Sequence, residues 1–194
     1  MKIGVLALQG DFAEHLAILT KLGVEGTEIR LPSQLNDIEA LIIPGGESTT
    51  ISKLANAFNL LGPLQAFGQK HPVWGTCAGA IFLSKTVGGQ QDLLGLMDIT
   101  IERNAFGRQV DSFEADLLVP VLENPEIPYP SIFIRAPLIA SVGPDVEVLA
   151  NLPDIADGGI IVAAQQGHLM ATSFHPELTG DDRFHRYFLS LAKK

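Results

Sequence analysis

The chain has 194 residues, 46% of them hydrophobic, with a formal net charge of -9 and a pI of about 4.9. That is enough apolar material for one sizeable core and too little length to require a second, so a single domain over 1–194 is expected. The acidic balance, with only 13 scattered Lys and Arg, argues against nucleic acid; no apolar run reaches a membrane-spanning length; and the lone cysteine excludes an intrachain disulfide framework and points to a reducing compartment, the cytoplasm.

Residues 3–8 read as a buried strand, and the run ends at Gln9 without the small-residue cleavage site of a signal peptide. Asp11 is placed to N-cap a helix to about Leu22, with Phe12, Leu16, Leu19 and Leu22 on one face and Gly23 as its stop. Residues 27–31 and 40–43 read as the second and third strands. The third runs into Pro44-Gly45-Gly46-Glu47-Ser48, a tight loop feeding a helix near Thr49. A helix over 60–69, with Leu61, Leu64 and Phe67 apolar, stops before Pro72; residues 73–75 form strand four, and a helix over 78–85 follows. This alternation is the pattern of a parallel α/β sheet, whose ligands bind outside the carboxyl ends of the strands.

From residue 99 the pattern changes. Strands over 113–119, 132–134, 146–150, 160–165 and 168–172 follow one another with few helical stretches, which suggests a mixed or antiparallel extension. Three prolines in 124–130 mark an exposed loop, and an amphipathic helix over 182–192 closes the chain. The expected fold is a three-layer α/β sandwich, a mostly parallel central sheet with helices on both faces.

The one cysteine, Cys77, falls between strand four and its helix, inside Gly75-Thr76-Cys77-Ala78-Gly79. Taken alone, a free cysteine is commonly a small buried hydrophobe. Glycines two residues to either side on a strand-to-helix turn instead spell a nucleophile elbow with a thiol in the hydroxyl's place. A thiol of pKa near ~8.5 needs an imidazole to take its proton, and His175 could be that base. The imidazole needs an orienting acid, for which Glu177 is the nearest candidate, since residues two apart in an extended segment share a face. His175-Pro176-Glu177 alone reads equally well as a surface turn. His15, His71, His168, His175 and His185 lack any H-E-x-x-H or paired-cysteine spacing, so no metal is assigned, and the loop at Gly45-Gly46 lacks the lysine of a P-loop.

With Gly75 to Gly79 and His175-Pro176-Glu177 together, the sequence resembles the triad (class I) glutamine amidotransferases. Leu6 to Gly10 with Glu14-His15, Pro44 to Thr50, Arg103 to Glu114, and Ile134-Arg135-Ala136-Pro137 resemble the glutaminase branch that serves pyridoxal 5′-phosphate synthases, over nearly the whole chain. The loops at 124–130 and 153–159 look longer than the family's usual turns. The resemblance implies hydrolysis of L-glutamine by Cys77, His175 and Glu177. It further implies oxyanion donors at Gly46 and Ala78 and glutamine contacts at Gly46, Glu47, Ser48, Arg103, Ile134 and Arg135. It implies no cofactor, and a synthase subunit as partner to receive the ammonia. Another amidotransferase branch, a hydrolase of γ-glutamyl substrates and a purely regulatory subunit are the competing readings. Related peptidase- and chaperone-like proteins place a histidine after the cysteine, where this chain has Ala78.

Overall fold

The computed structural model of the protein describes residues 1–103, 112–152 and 159–193. The first half alternates as the sequence predicts: β1 (Lys2–Leu6), α1 (Phe12–Lys21), β2 (Glu25–Ile29), β3 (Ala40–Ile43), α2 (Ser48–Ala57), α3 (Leu61–Gly68), β4 (Val73–Thr76) and α4 (Ala78–Leu83). The second half is mostly strand: β5 (Ser84–Val87), β6 (Met97–Glu102), β7 (Ser112–Leu117), β8 (Tyr129–Ile134), β9 (Leu138–Val142), β10 (Glu147–Leu152), β11 (Ile160–Gln166) and β12 (Leu169–Thr172), before α5 (Arg183–Leu191).

The large sheet runs β2-β1-β3-β4-β12-β11-β9-β6-β5, with β10 branching from β11. From β2 through β12 every neighbour is parallel. The extension through β11, β9 and β6 is antiparallel, and β5 pairs parallel to β6 at the far edge. β7 and β8 form a separate antiparallel pair.

Strand periodicity sorts the core into two layers, because successive side chains leave opposite faces. In β3, Ala40 and Ile42 face one way with Ile3, Val5, Trp74 and Met170; α1, α5 and the β7-β8 pair cover them through Leu19, Phe184, Phe188 and Phe133. Leu41 and Ile43 face the other way with Leu6 and Val73, beneath α2, α3 and α4. β3 is therefore buried on both sides, which explains its unbroken apolar sequence.

Several boundaries differ from the sequence reading. β2 begins and ends two residues early: it is an edge strand of alternating polarity, and Pro32 opens a 3-10 turn that leaves Leu31 exposed. The helix after Cys77 stops at Leu83, where the Ser84 hydroxyl donates to the Ile81 carbonyl at 2.8 Å and the chain becomes β5. The exposed loop foreseen at 124–130 is overturned at its end. Tyr129 opens β8 fully buried, its ring edge-on to Phe184 and its hydroxyl donating to the Asp181 carbonyl at 3.1 Å. Pro130 is tolerated because β8 has a single ladder partner, β7, among the described residues, so its missing N–H need not serve two neighbouring strands. Residues 153–158, most of the second long loop, lie outside the described residues.

Candidate active site

Cys77 joins β4 to α4 with φ 47° and ψ -107°, a positive φ that costs a non-glycine residue energy. The strain is held from both sides. The Cys77 N–H donates to the Thr172 carbonyl at 2.8 Å, extending the β4-β12 ladder, and the Cys77 carbonyl accepts from Ala80 N–H at 3.1 Å. The flanking glycines are a steric requirement. A Cβ on Gly75 would sit 2.5 Å from the Gly79 backbone, and one on Gly79 would sit 2.0 Å from the Ile43 carbonyl oxygen. Strand, helix and the end of β3 thus meet backbone to backbone, and the sulfur sits 4.0 Å from the Ile134 carbonyl.

β12 delivers the second group. Past Thr172, Phe174 is buried against Phe133, Tyr129 and Phe184, and the His175 N–H donates to the Ile132 carbonyl at 2.8 Å. The Cys77 and His175 side chains line the same cleft and lie close enough for each to act on the other's charge. His175 Nδ1 lies 2.6 Å from Glu177 Oε1, both side chains almost fully buried. The pairing arises differently from the sequence reading. Pro176–Leu178 is a 3-10 turn, not an extended segment, and it folds Glu177 back under the ring.

Burial alone would push the His175 imidazole down, but the neighbouring Cys77 and the hydrogen-bonded Glu177 raise it to about 10. Burial raises the Glu177 carboxyl, with His175 opposing. The arrangement favours a protonated imidazole held against the Glu177 carboxylate.

These groups open into a cleft of about 540 Å³ lined by Gly46, Glu47, Ser48, Cys77, Ala78, Arg103, Ile134, Arg135 and His175, with Glu177 behind His175. The sequence-predicted site residues therefore converge on one place. Residues 104–111, the rest of the stretch that begins at Arg103, lie outside the described residues.

The loop after β3 is fixed by its neighbour after β1. Gly45 carbonyl accepts from Asp11 N–H at 3.1 Å, and Glu47 N–H donates to Gln9 Oε1 at 2.6 Å. Gly46 has φ 151°, and a Cβ there would lie 2.5 Å from Gln9 Oε1. The Glu47 carboxylate caps α2, accepting from the N–H and hydroxyl groups of Thr49 and Thr50, which holds it down at about 2.

Three further residues belong to the site. Asp11 stands at the N-cap position of α1 but caps nothing with its side chain; its Oδ2 lies 3.4 Å from His175 Nδ1. Gln9 lines the cleft beside it. Gln91 accepts through one amide oxygen from Ser48 Oγ at 3.3 Å and from the Arg103 guanidinium. No spacing rule links position 91 to 48 and 103, whereas Gln9 stood in the resemblance without an assigned role and Asp11 was read as a helix cap. Asp11, His175 and Glu177 each bring a possible metal-ligating atom within 4.8 Å of the others. The 2.6 Å contact between His175 and Glu177 has the length of a charge-assisted hydrogen bond, and a metal would have to displace its proton.

Fold and turn together define a class: α/β proteins with a nucleophile elbow at the carboxyl edge of a parallel sheet. The chain belongs to the SNO glutamine amidotransferase family, whose model matches residues 5–194. It is 59% identical over 196 residues to the pyridoxal 5′-phosphate synthase subunit PdxT of Herpetosiphon aurantiacus, covering 98% of this chain and 100% of that one. It is 49% identical over 221 residues to the probable pyridoxal 5′-phosphate synthase subunit PDX2 of Arabidopsis thaliana, covering 100% of this chain and 87% of that one. A crystal structure described as a glutamine amidotransferase superposes with a TM-score of 0.90 at 48% identity, covering 99% of each chain.

Proposed function

We propose that this chain is the glutaminase subunit of a pyridoxal 5′-phosphate synthase, hydrolysing L-glutamine to L-glutamate and ammonia through Cys77, His175 and Glu177. The observation that carries the reading is the strained Cys77 opening into the same cleft as an imidazole that is itself pinned by a buried carboxylate.

The Cys77 thiolate attacks the side-chain carboxamide carbon, and the oxyanion is held by the N–H groups of Ala78 and Gly46. Each such donor is worth about 3 kcal/mol of barrier. The His175 imidazolium donates its proton to the nitrogen, the C–N bond breaks, and ammonia departs from a thioester. His175, now neutral, removes a proton from water as it attacks the thioester carbon; glutamate leaves and the thiolate is restored with the proton back on His175. Glu177 keeps one tautomer and stabilises the cation. Arg103 and Arg135 suit the substrate carboxylate, and Glu47, Ser48 and Ile134 complete the walls.

Ammonia released into water at neutral pH is mostly ammonium and no nucleophile. The product is therefore useful only beside a synthase subunit that receives it through an enclosed path, in the cytoplasm. The test is glutamate release with and without that subunit, for the wild type and Cys77→Ala. Release that rises with the synthase and vanishes on substitution supports the reading; equal turnover with and without the synthase, or stimulation by a different nitrogen-accepting enzyme, contradicts the assignment.

A further inference from the structure

Behind the triad lies a second pair of histidines. His15, on the inner face of α1, and His185, on the inner face of α5, are both fully buried, and His15 Nδ1 lies 2.9 Å from His185 Nε2. On the other side of its ring, His15 Nε2 lies 3.4 Å from Glu177 Oε2 and 3.4 Å from Thr76 Oγ1. Glu177 Oε2 and His185 Nδ1 are both buried without a hydrogen-bond partner among the described residues. Burial lowers both imidazoles, so both rings are neutral and each carries one proton.

Only one arrangement of the two protons suits these surroundings. Suppose His15 donated from Nδ1 to His185. Its bare Nε2 would then face an acceptor-only carboxylate oxygen, and His185 Nδ1–H would be a buried donor with nothing to bond. With the proton on His15 Nε2, His185 Nε2–H donates to His15 Nδ1, and His15 Nε2–H points at Glu177 Oε2 and Thr76 Oγ1. The approach to Glu177 is long, as hydrogen bonds around a reacting centre often are before substrate binds.

We propose that His15 is a positioning residue for the triad: held in a single tautomer by His185, it donates to the second oxygen of Glu177, so the carboxylate stays ionised and turned with Oε1 toward His175. The inference rests on the glutaminase reading for its activity arm alone. The charged and titratable groups facing Glu177 are His175, His15, Asp11 and Tyr129; those facing His15 are His185, Glu177 and His175; the charge acting on His185 from outside the pair is that of Asp182.

The test compares His15→Ala, His15→Asn and His15→Gln. An Asn amide sits near the imidazole Nδ1 and serves only the His185 side, whereas a Gln amide reaches the position of Nε2 and can donate to Glu177. The first readout is the pH dependence of Cys77 alkylation by iodoacetamide in the complex with the synthase subunit, which requires no glutamine turnover. Loss of an N–H bond to a carboxylate should move the acid limb of that profile upward by about one to two pH units in Ala and Asn, with Gln near the wild type. The second readout is glutamate release, where kcat should fall on the order of tenfold in Ala and Asn with KM little changed. Thermal melting separates folding from positioning, and the Asn and Gln pair decides the matter if Ala does not fold. An acid limb unmoved in Asn, or moved equally in Asn and Gln, overturns the proposal. A wild type that never releases glutamate but keeps the alkylation shifts would refute the glutaminase reading and leave the positioning role standing.

Discussion

Gly79→Ala puts the geometry of the elbow under direct strain. The new Cβ would stand 2.0 Å from the Ile43 carbonyl oxygen and 2.7 Å from its carbon. Ordinary contact begins about 1.4 Å further out, so β3 and the first turn of α4 must separate by roughly that distance. Neither can yield cheaply: Ile43 is buried at the end of a central strand, and every residue of α4 is buried. Overpacking at such a site costs about 1–3 kcal/mol, offset in part by the roughly 1 kcal/mol that alanine gains over glycine within a helix. Function should suffer more than stability. The displaced segment carries the Ala78 N–H and the Cys77 side chain, and a misplacement of about 1 Å costs on the order of a hundredfold in rate. The assay is glutamate release by the synthase complex, alongside thermal melting of the same preparations. A folded Gly79→Ala protein with turnover within about threefold of wild type would refute the close-contact reasoning.

Arg183 donates to four carbonyls, those of Glu123, Asn124, Ile127 and Pro128, while Asp181 holds its guanidinium. Arg183→Ala should therefore cost about 2 kcal/mol by urea unfolding and expose the 123–128 segment to proteases, and Arg183→Lys should not restore it, because an ammonium cannot span that fan. For His175 the folded value of about 10 lies above the ordinary 6.5, so its pairing stabilises the fold fully below about 6.5 and the contribution is lost as pH rises toward 10. Turnover should fall over the same upper range as the imidazolium donor is lost; in Glu177→Gln a pH-rate profile should show the fall at lower pH.

The parallel half of the fold was legible because both-face burial leaves an unbroken apolar run at residues 40–43 and a short apolar strand at 73–75, and because Gly75 and Gly79 are needed where two backbones touch. The antiparallel edge was less so. Ser84–Val87 has two exposed and two buried residues over four positions, too short to distinguish from the end of the preceding helix. Tyr129 hides in a proline-rich stretch because its burial depends on Phe184, a contact some 55 residues away in sequence that no local pattern encodes. Cys77, His175 and Glu177 were found by residue type and neighbours. His15 was not, since helical periodicity assigned the inner face of α1 to Phe12, Leu16, Leu19 and Leu22, whereas the fully buried pair is His15 and Leu19. A histidine pointing into a core becomes readable only when His185 and Glu177 are brought to it. Asp11 does hold the N-cap position the sequence predicts, but only the fold shows its carboxylate turned to His175 rather than to the helix.

The central claim is that Cys77 is the nucleophile and that His175 activates it. The direct measurement is the mass of the Cys77 peptide after the synthase complex meets a glutamine-mimicking chloroketone, followed over time for wild type, Cys77→Ala and His175→Ala. The expected result is a single adduct on Cys77, absent in Cys77→Ala and formed on the order of a hundredfold more slowly in His175→Ala. An unmodified Cys77 in a preparation that still releases glutamate, or an adduct formed equally fast without the imidazole, would contradict it.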